Sequence, residues 1–499
     1  MPTPIRAHRR ILVPPSPATC KKPTLVPARK PIRAPPRQLT PVLRRILVPR
    51  RIPALPRTRA LLKSIDRSLS ALRFEARTGR VLLALPVFLC LLVGCGERDG
   101  VPAASPAPVA SLVPAAEGAS ASAAFLERHW ARPLAPQGKA PPAFSPLEAS
   151  LSPADCGTCH ADQFRDWQTA LHAHAMGPGL IGQLVNMDPE ARDEHQDCIR
   201  CHAPLAEQAD SLAIALATSA ANHAPTSQPR PALHEQGVVC AACHVRTHTR
   251  YGPPRRAGSA PASTENLPHG GFVVSQAFSD ARFCSACHQF QPDEFALNGK
   301  LLENTYEEWK NSPQAAAGQS CQSCHMPARR HLWRGIHDPE MVRSGVRFTP
   351  DEIELTSGTL RTGLSVRNTG TGHYFPTYVT PRVVAEIEQV DAKGHFLPKT
   401  RVDRSIQRQV PLDLSHEIAD TRLPPDGELH LDYALPRDPR ATAIIYRLRV
   451  EPDEFYARFY RSLLADGSAG KGKMQIRDAL RQAESSGFVA FEVRRQLPD

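Results

Sequence analysis

The sequence predicts a chain in two parts: an α-helical and irregular domain, then a small, mainly-β, sandwich-like C-terminal domain. Three observations predict it. Five Cys-x-x-Cys-His motifs stand between residues 156 and 325. Between them apolar content is modest and Ala-rich, with Pro and Gly in several loops, which favours short helices and irregular connections. From about residue 346 there are no cysteines, and apolar residues begin to alternate as they do in half-buried strands.

The motifs are Cys156, Cys159 and His160; Cys198, Cys201 and His202; Cys240, Cys243 and His244; Cys284, Cys287 and His288; Cys321, Cys324 and His325. This is the signature of c-type haem attachment. Two thiols bond to the porphyrin edge and the adjacent histidine takes one face of the iron. Of 13 cysteines, none after Cys95 lies outside a motif. A zinc array or a disulfide framework would not need a histidine fixed behind the second cysteine five times over. Five haems are therefore expected. The motif starts lie 42, 42, 44 and 37 residues apart, as repeated haem-binding units would. A chain that wraps porphyrins needs less side-chain core.

Two helices are legible in the motif region. Asp162 to Leu171 carries an apolar stripe at Phe164, Trp167 and Leu171, and Leu205 to about Ser219 follows Pro204. In the C-terminal part, Leu360–Asn368, Val383–Val390, Ala443–Val450 and Phe488–Val493 read as strands, with a hairpin-like turn at Asp391–Gly394. Phe455–Leu464 and Ile476–Ala483 read as a helical insertion. The expected bounds are 151–345 for the haem domain and 346–499 for the β-domain.

The N-terminus predicts export. Residues 1–70 are a Pro/Arg-rich extension that cannot bury a core, and a start codon placed too far upstream would account for it. In 71–94, Arg73, Arg77 and Arg80 precede the apolar run Val81–Val93, a signal peptide in form and too short to span a membrane. Leu92-Val93-Gly94-Cys95 resembles a lipobox, which implies lipidation of Cys95 and a lipoprotein in the periplasm or on the cell surface, anchored to the outer membrane. Residues 95–150, rich in Ala, Pro and Ser, read as a tether. The chain's net charge of +12 misleads. Twenty of the 61 Lys+Arg, but only two of the 49 Asp+Glu, precede Cys95, which leaves 41 against 47, or −6, beyond it. That excludes nucleic acid as the partner its basicity suggests. Redox proteins of the envelope are the expected partners.

The opposite face of each iron is the open question. Ten further histidines lie between 160 and 375 for five places. His172 is 12 residues beyond His160, about 18 Å along a straight helix, so it serves a neighbouring haem. His248 follows His244 by four residues and shares its helical face, so it too serves another haem. The reading assigns His172, His234, His248, His337 and His373 to the five places, with His331 in reserve. His174, His195, His223 and His269 are left to caps, hydrogen bonds or solvent. Met326 directly follows His325 and points away from that iron.

Cys156-Gly-Thr-Cys-His-Ala-Asp-Gln-Phe-Arg-Asp-Trp167 with His172-Ala-His behind it resembles the cytochrome c-554-like multihaem cytochromes. Cys198-Ile-Arg-Cys-His-Ala-Pro-Leu, Gly237-Val-Val-Cys-Ala-Ala-Cys-His, Cys321-Gln-Ser-Cys-His-Met-Pro and Asn368-Thr-Gly-Thr-Gly-His373 are similar to it as well. The resemblance covers roughly 150 to 385. It implies a multihaem cytochrome in which most irons carry two histidines and pass electrons, while some members keep one iron open. The chain departs from the family in having five motifs rather than four or eight, and no Cys-x-x-Cys-Lys motif is present. An electron carrier is the leading expectation, because the histidine surplus favours full coordination. An oxidoreductase with one open iron, acting on a small nitrogen or sulfur compound, is the alternative. A non-catalytic subunit that docks a reductase is the third reading.

Overall fold

The computed structural model describes residues 115–217, 230–258 and 267–498. The Pro/Arg-rich extension, the expected signal peptide and Cys95 lie outside them, as do His223 and the expected end of the helix near Ser219. None of the described helices is long and apolar enough to cross a membrane.

The motif region is built from short helices, and the motifs explain their length. A cysteine at i, a second at i+3 and a histidine at i+4 share one face of a single helical turn, so one turn is enough to present all three to one porphyrin. Cys240–His244 and Cys321–His325 are five-residue helices that end on the motif histidine. The second and fourth motifs close the helices Arg192–His202 and Arg282–His288 in the same way. In the first motif, Cys156 lies in the last turn of Pro153–Gly157 and His160 is the N-cap of the helix Ala161–Gln168. That helix is shorter than expected. Ala170 is extended, the chain re-enters as a 3-10 turn over Leu171–His174, and Leu171 is 53% exposed rather than part of a buried stripe. The expected helix after Pro204 runs from Ala206 to Ala217.

The apolar core here is divided into small clusters. One joins Met176, Leu184, Ile199, Leu212 and Leu216; another joins Leu134, Leu205, Val239, Ala242 and Val245.

The segment expected to be a tether is structured from residue 115. Helix Ala115–His129 buries Leu126 and His129. The chain beyond it is tied down by His129 Nε2 with the Cys243 carbonyl at 2.9 Å, and by Arg246 Nε to the His129 carbonyl at 2.8 Å. Composition pointed to a flexible linker, but Phe125, Leu126, His129 and Trp130 form one apolar helical face, and tertiary packing wins over the surrounding Ala, Pro and Ser.

The C-terminal part holds two four-stranded antiparallel sheets. One runs β4 (Val402–Ile406), β3 (Arg382–Val390), β6 (Ala443–Glu451) and β7 (Phe488–Gln496). The other runs β5 (Glu428–Pro436), β2 (Thr359–Asn368) and β1 (Val346–Pro350), with the short strand Glu354–Thr356 also on β2. Leu364 pairs with Leu431 and Ile387 with Tyr446. Both sheets turn such residues into one core that includes Leu360, Val366, Val383, Ile444 and Leu448. Helices Glu454–Ala465 and Lys473–Ser485 are inserted between β6 and β7. The insertion packs back on the motif region, where Gly182 lies so close to Ile476 that a Cβ there would sit 2.9 Å from its side chain.

Candidate haem-binding sites

Four of the five motif histidines face a second histidine ring. The ring centroids are 6.5 Å apart for His160 and His269, 6.3 Å for His172 and His288, 6.1 Å for His244 and His331, and 6.3 Å for His325 and His373. Two imidazoles on one metal ion, each bonded at about 2 Å, bring their ring centres to about 6 Å apart, so each gap fits one shared ion.

The other ring nitrogen agrees. A ligating histidine commonly donates its second N–H to a carbonyl, which fixes the tautomer and leaves Nε2 for the metal. His244, His325, His373, His331 and His269 each hold a backbone carbonyl through Nδ1: those of Tyr251 (2.8 Å), Arg334 (2.6 Å), Tyr374 (2.8 Å), Arg329 (3.1 Å) and Gly271 (2.9 Å). Burial holds the His172 ring neutral, its pKa down to about 3, and those of His244 and His373 down to about 4. The neutral ring is the form that ligates.

Local sequence explains how His172 is aimed. Trp167 Nε1 donates to the Val238 carbonyl at 2.8 Å, and Val238 N donates to the His172 carbonyl at 2.8 Å. Gly237 has φ +65°, and a Cβ there would lie 2.3 Å from that same carbonyl. The Trp167 and His172 of the first unit are thus clamped to the chain entering the third motif, and the His172 ring points at His288 of the fourth.

His202 stands apart. Its Nδ1 holds the Ala175 carbonyl at 2.7 Å, the same preparation for a metal on Nε2, but no histidine ring faces it among the described residues.

Three of the distal candidates, among the described residues, have no motif histidine ring against their own. His234 spends Nδ1 on Ser211 Oγ at 2.8 Å. His248, in the left-handed region at φ 59°, holds the Gly138 carbonyl through Nε2 at 3.1 Å. His337 holds Asp453 through Nε2 at 2.9 Å. Nε2 is engaged in His248 and His337, while His234 keeps Nε2 outside its bond to Ser211. His269 takes a place the sequence reading gave to none of them. It sits at φ 45° ahead of Gly270 and Gly271, in a tight turn whose amide donates to Glu148 at 2.6 Å. The paired glycines after it were the available signal.

The motif sulfurs show which units are neighbours. As free thiols, standing where thioethers form, Cys156 contacts Cys240, Cys201 contacts Cys287, and Cys284 contacts Cys321. The first unit therefore lies beside the third, the second beside the fourth, and the fourth beside the fifth.

Residues 155–245 match the family described as cytochrome c554 and c-prime. The cytochrome c nitrite reductase subunit NrfA of Nitratidesulfovibrio vulgaris is 25% identical over 214 residues, which are 38% of this chain and 39% of that relative. The chain thus spans about two fifths of the length of the curated relative it matches. A penta-heme cytochrome c552 from Thermochromatium tepidum aligns over 71% of this chain and 100% of its own, at 16% identity and a TM-score of 0.46.

Proposed function

We propose, on the premise that this chain is a multihaem c-type cytochrome, that it passes electrons along five covalent haems in the cell envelope. Haem supplies one-electron exchange between ferric and ferrous iron. The chain's own residues supply the rest. Cys156 and Cys159, Cys198 and Cys201, Cys240 and Cys243, Cys284 and Cys287, and Cys321 and Cys324 hold the five porphyrins. His160 with His269, His244 with His331, His288 with His172, and His325 with His373 would each hold one iron. The observation that carries this reading is the spacing of those four ring pairs, 6.1–6.5 Å. Two ring nitrogens on each of these four irons would leave no open position for substrate and little to reorganise when an electron moves.

Export fits the same reading, since covalent haem is attached outside the bacterial cytoplasm. We read Cys95 as a lipidated N-terminus, the protein as an outer-membrane-anchored lipoprotein of the periplasm or cell surface, and its partners as redox proteins of the envelope. The two C-terminal sheets, which share one core, are read as a sandwich that supports the fifth haem by contributing His373. Peptide mapping by mass tests the reading: it predicts haem on all five motifs, and any motif found unmodified in mature protein removes that haem from the chain.

One observation favours a second activity. Because no histidine ring faces His202 among the described residues, the second haem is read as open on one side, a place where a small nitrogen or sulfur compound would bind iron. The carrier reading holds for the other four irons either way.

A further inference from the structure

We propose that Arg132 is a shared cation that sets the potentials of two haems at once, those of the second and fourth motifs. The proposal rests on the haem assignment above. Arg132 Nη1 donates to Cys201 Sγ at 3.3 Å, and Nη2 donates to Cys287 Sγ at 3.0 Å. One guanidinium therefore bridges the attachment sulfurs of two different units. Both sulfurs border a cavity of about 560 Å³ whose wall also includes Trp130, Arg200, Arg282 and Phe290.

Of the three arginines in that wall, Arg132 is the unpaired one. Arg200 is neutralised by Glu294 at 2.6 Å, and Arg282 by Asp280 at 2.6 Å. No carboxylate lies within ion-pair distance of Arg132 among the described residues. A haem's propionates do not cancel it locally, because they leave the porphyrin on the edge opposite the thioethers. Thioether sulfurs are neutral, so the guanidinium stays a full positive charge beside both macrocycles.

The sign of its effect follows. Ferric haem carries one more positive charge than ferrous haem, so a fixed cation destabilises the oxidised form more and raises both potentials. The position of Arg132 also matters for electron flow. It lies between the haem read as open and its neighbour, so both ends of that step rise together and the difference between them is preserved. Arg132 is carried by the segment after helix Ala115–His129, which makes that segment part of the redox machinery and not only a connection to the membrane.

The test is an equilibrium redox titration of the whole mature protein as wild type, Arg132→Gln and Arg132→Lys, with haem mapping on the same samples. In Arg132→Gln, two of five transitions are expected to move to lower potential, each by about tenfold in the ratio of oxidised to reduced haem, or about 59 mV for one electron. The other three stay in place, and Arg132→Lys keeps most of the wild-type behaviour. If the mapped protein carries haem on Cys201 and Cys287 and no transition moves, or all five move together, the role of Arg132 is overturned. If either cysteine carries no haem in wild type, the haem assignment itself falls, and this inference with it.

Discussion

Replacing His172 with alanine is expected to open a second iron, that of the fourth motif, and to double the high-spin haem signal of the protein. His172 is the ring 6.3 Å from His288, and it is buried against Trp333 at 4.8 Å between ring centres. Its backbone contact with Val238 uses only the carbonyl, so the clamp survives the change of side chain. The fourth unit touches both the second and the fifth, so its loss of a ligand interrupts the run that joins them. His172→Met, which restores a ligand of a different kind, is expected to return that iron to low spin at a higher potential. Alanine at His234, His248 or His337 is expected to leave the spin balance unchanged. Electron paramagnetic resonance on the set separates the two groups. A spin change in any of the second group, or none at His172, would contradict the pairing.

The physical reason some of this was legible in sequence and some was not lies in chain distance. Cysteines and histidine within five residues carry their geometry with them, so the motifs, and the histidine that follows each, are readable locally. The strands are readable for the same reason. Leu360–Asn368 and Ala443–Val450 announce a buried face through their own residues, and they appear as β2 and β6. The second ring of each histidine pair is brought in from 48 to 116 positions away by tertiary folding, in the pairs His325–His373 and His172–His288. Sequence reasoning could say that His172 serves a neighbour, because a helix cannot bend it back to its own haem. It could not say that His269, among glycines, is aimed by its turn, nor that Nε2 of His248 is taken by the Gly138 carbonyl from a segment read as a tether.

Arg408→Ala is expected to destabilise the protein by about 3–5 kcal/mol, the range for removing one partner of a buried ion pair. The Arg408 side chain is 1% exposed and meets Glu417 at 2.8 Å. It also donates to the carbonyls of Leu301 at 2.7 Å and Lys300 at 3.1 Å. Those carbonyls belong to the hairpin that follows the fourth motif, so one guanidinium fastens the β-region to the haem region. Alanine leaves Glu417 with only Lys300, at 2.8 Å, and two carbonyls short of a donor. Lysine cannot reproduce the fork, and Arg408→Lys is expected to recover only part of the loss. Urea unfolding followed by far-ultraviolet circular dichroism measures both. A midpoint within error of wild type for alanine would show that the region relaxes around the missing group.

Four irons are proposed to sit between two histidines, and the iron on His202 to have one histidine among the described residues. Spin quantification of the purified ferric protein tests this most directly, with and without cyanide. The account predicts four low-spin haems and one high-spin haem per chain, and cyanide converts that one and no other. Five low-spin haems that ignore cyanide, or two or more high-spin haems in the wild type, would contradict it.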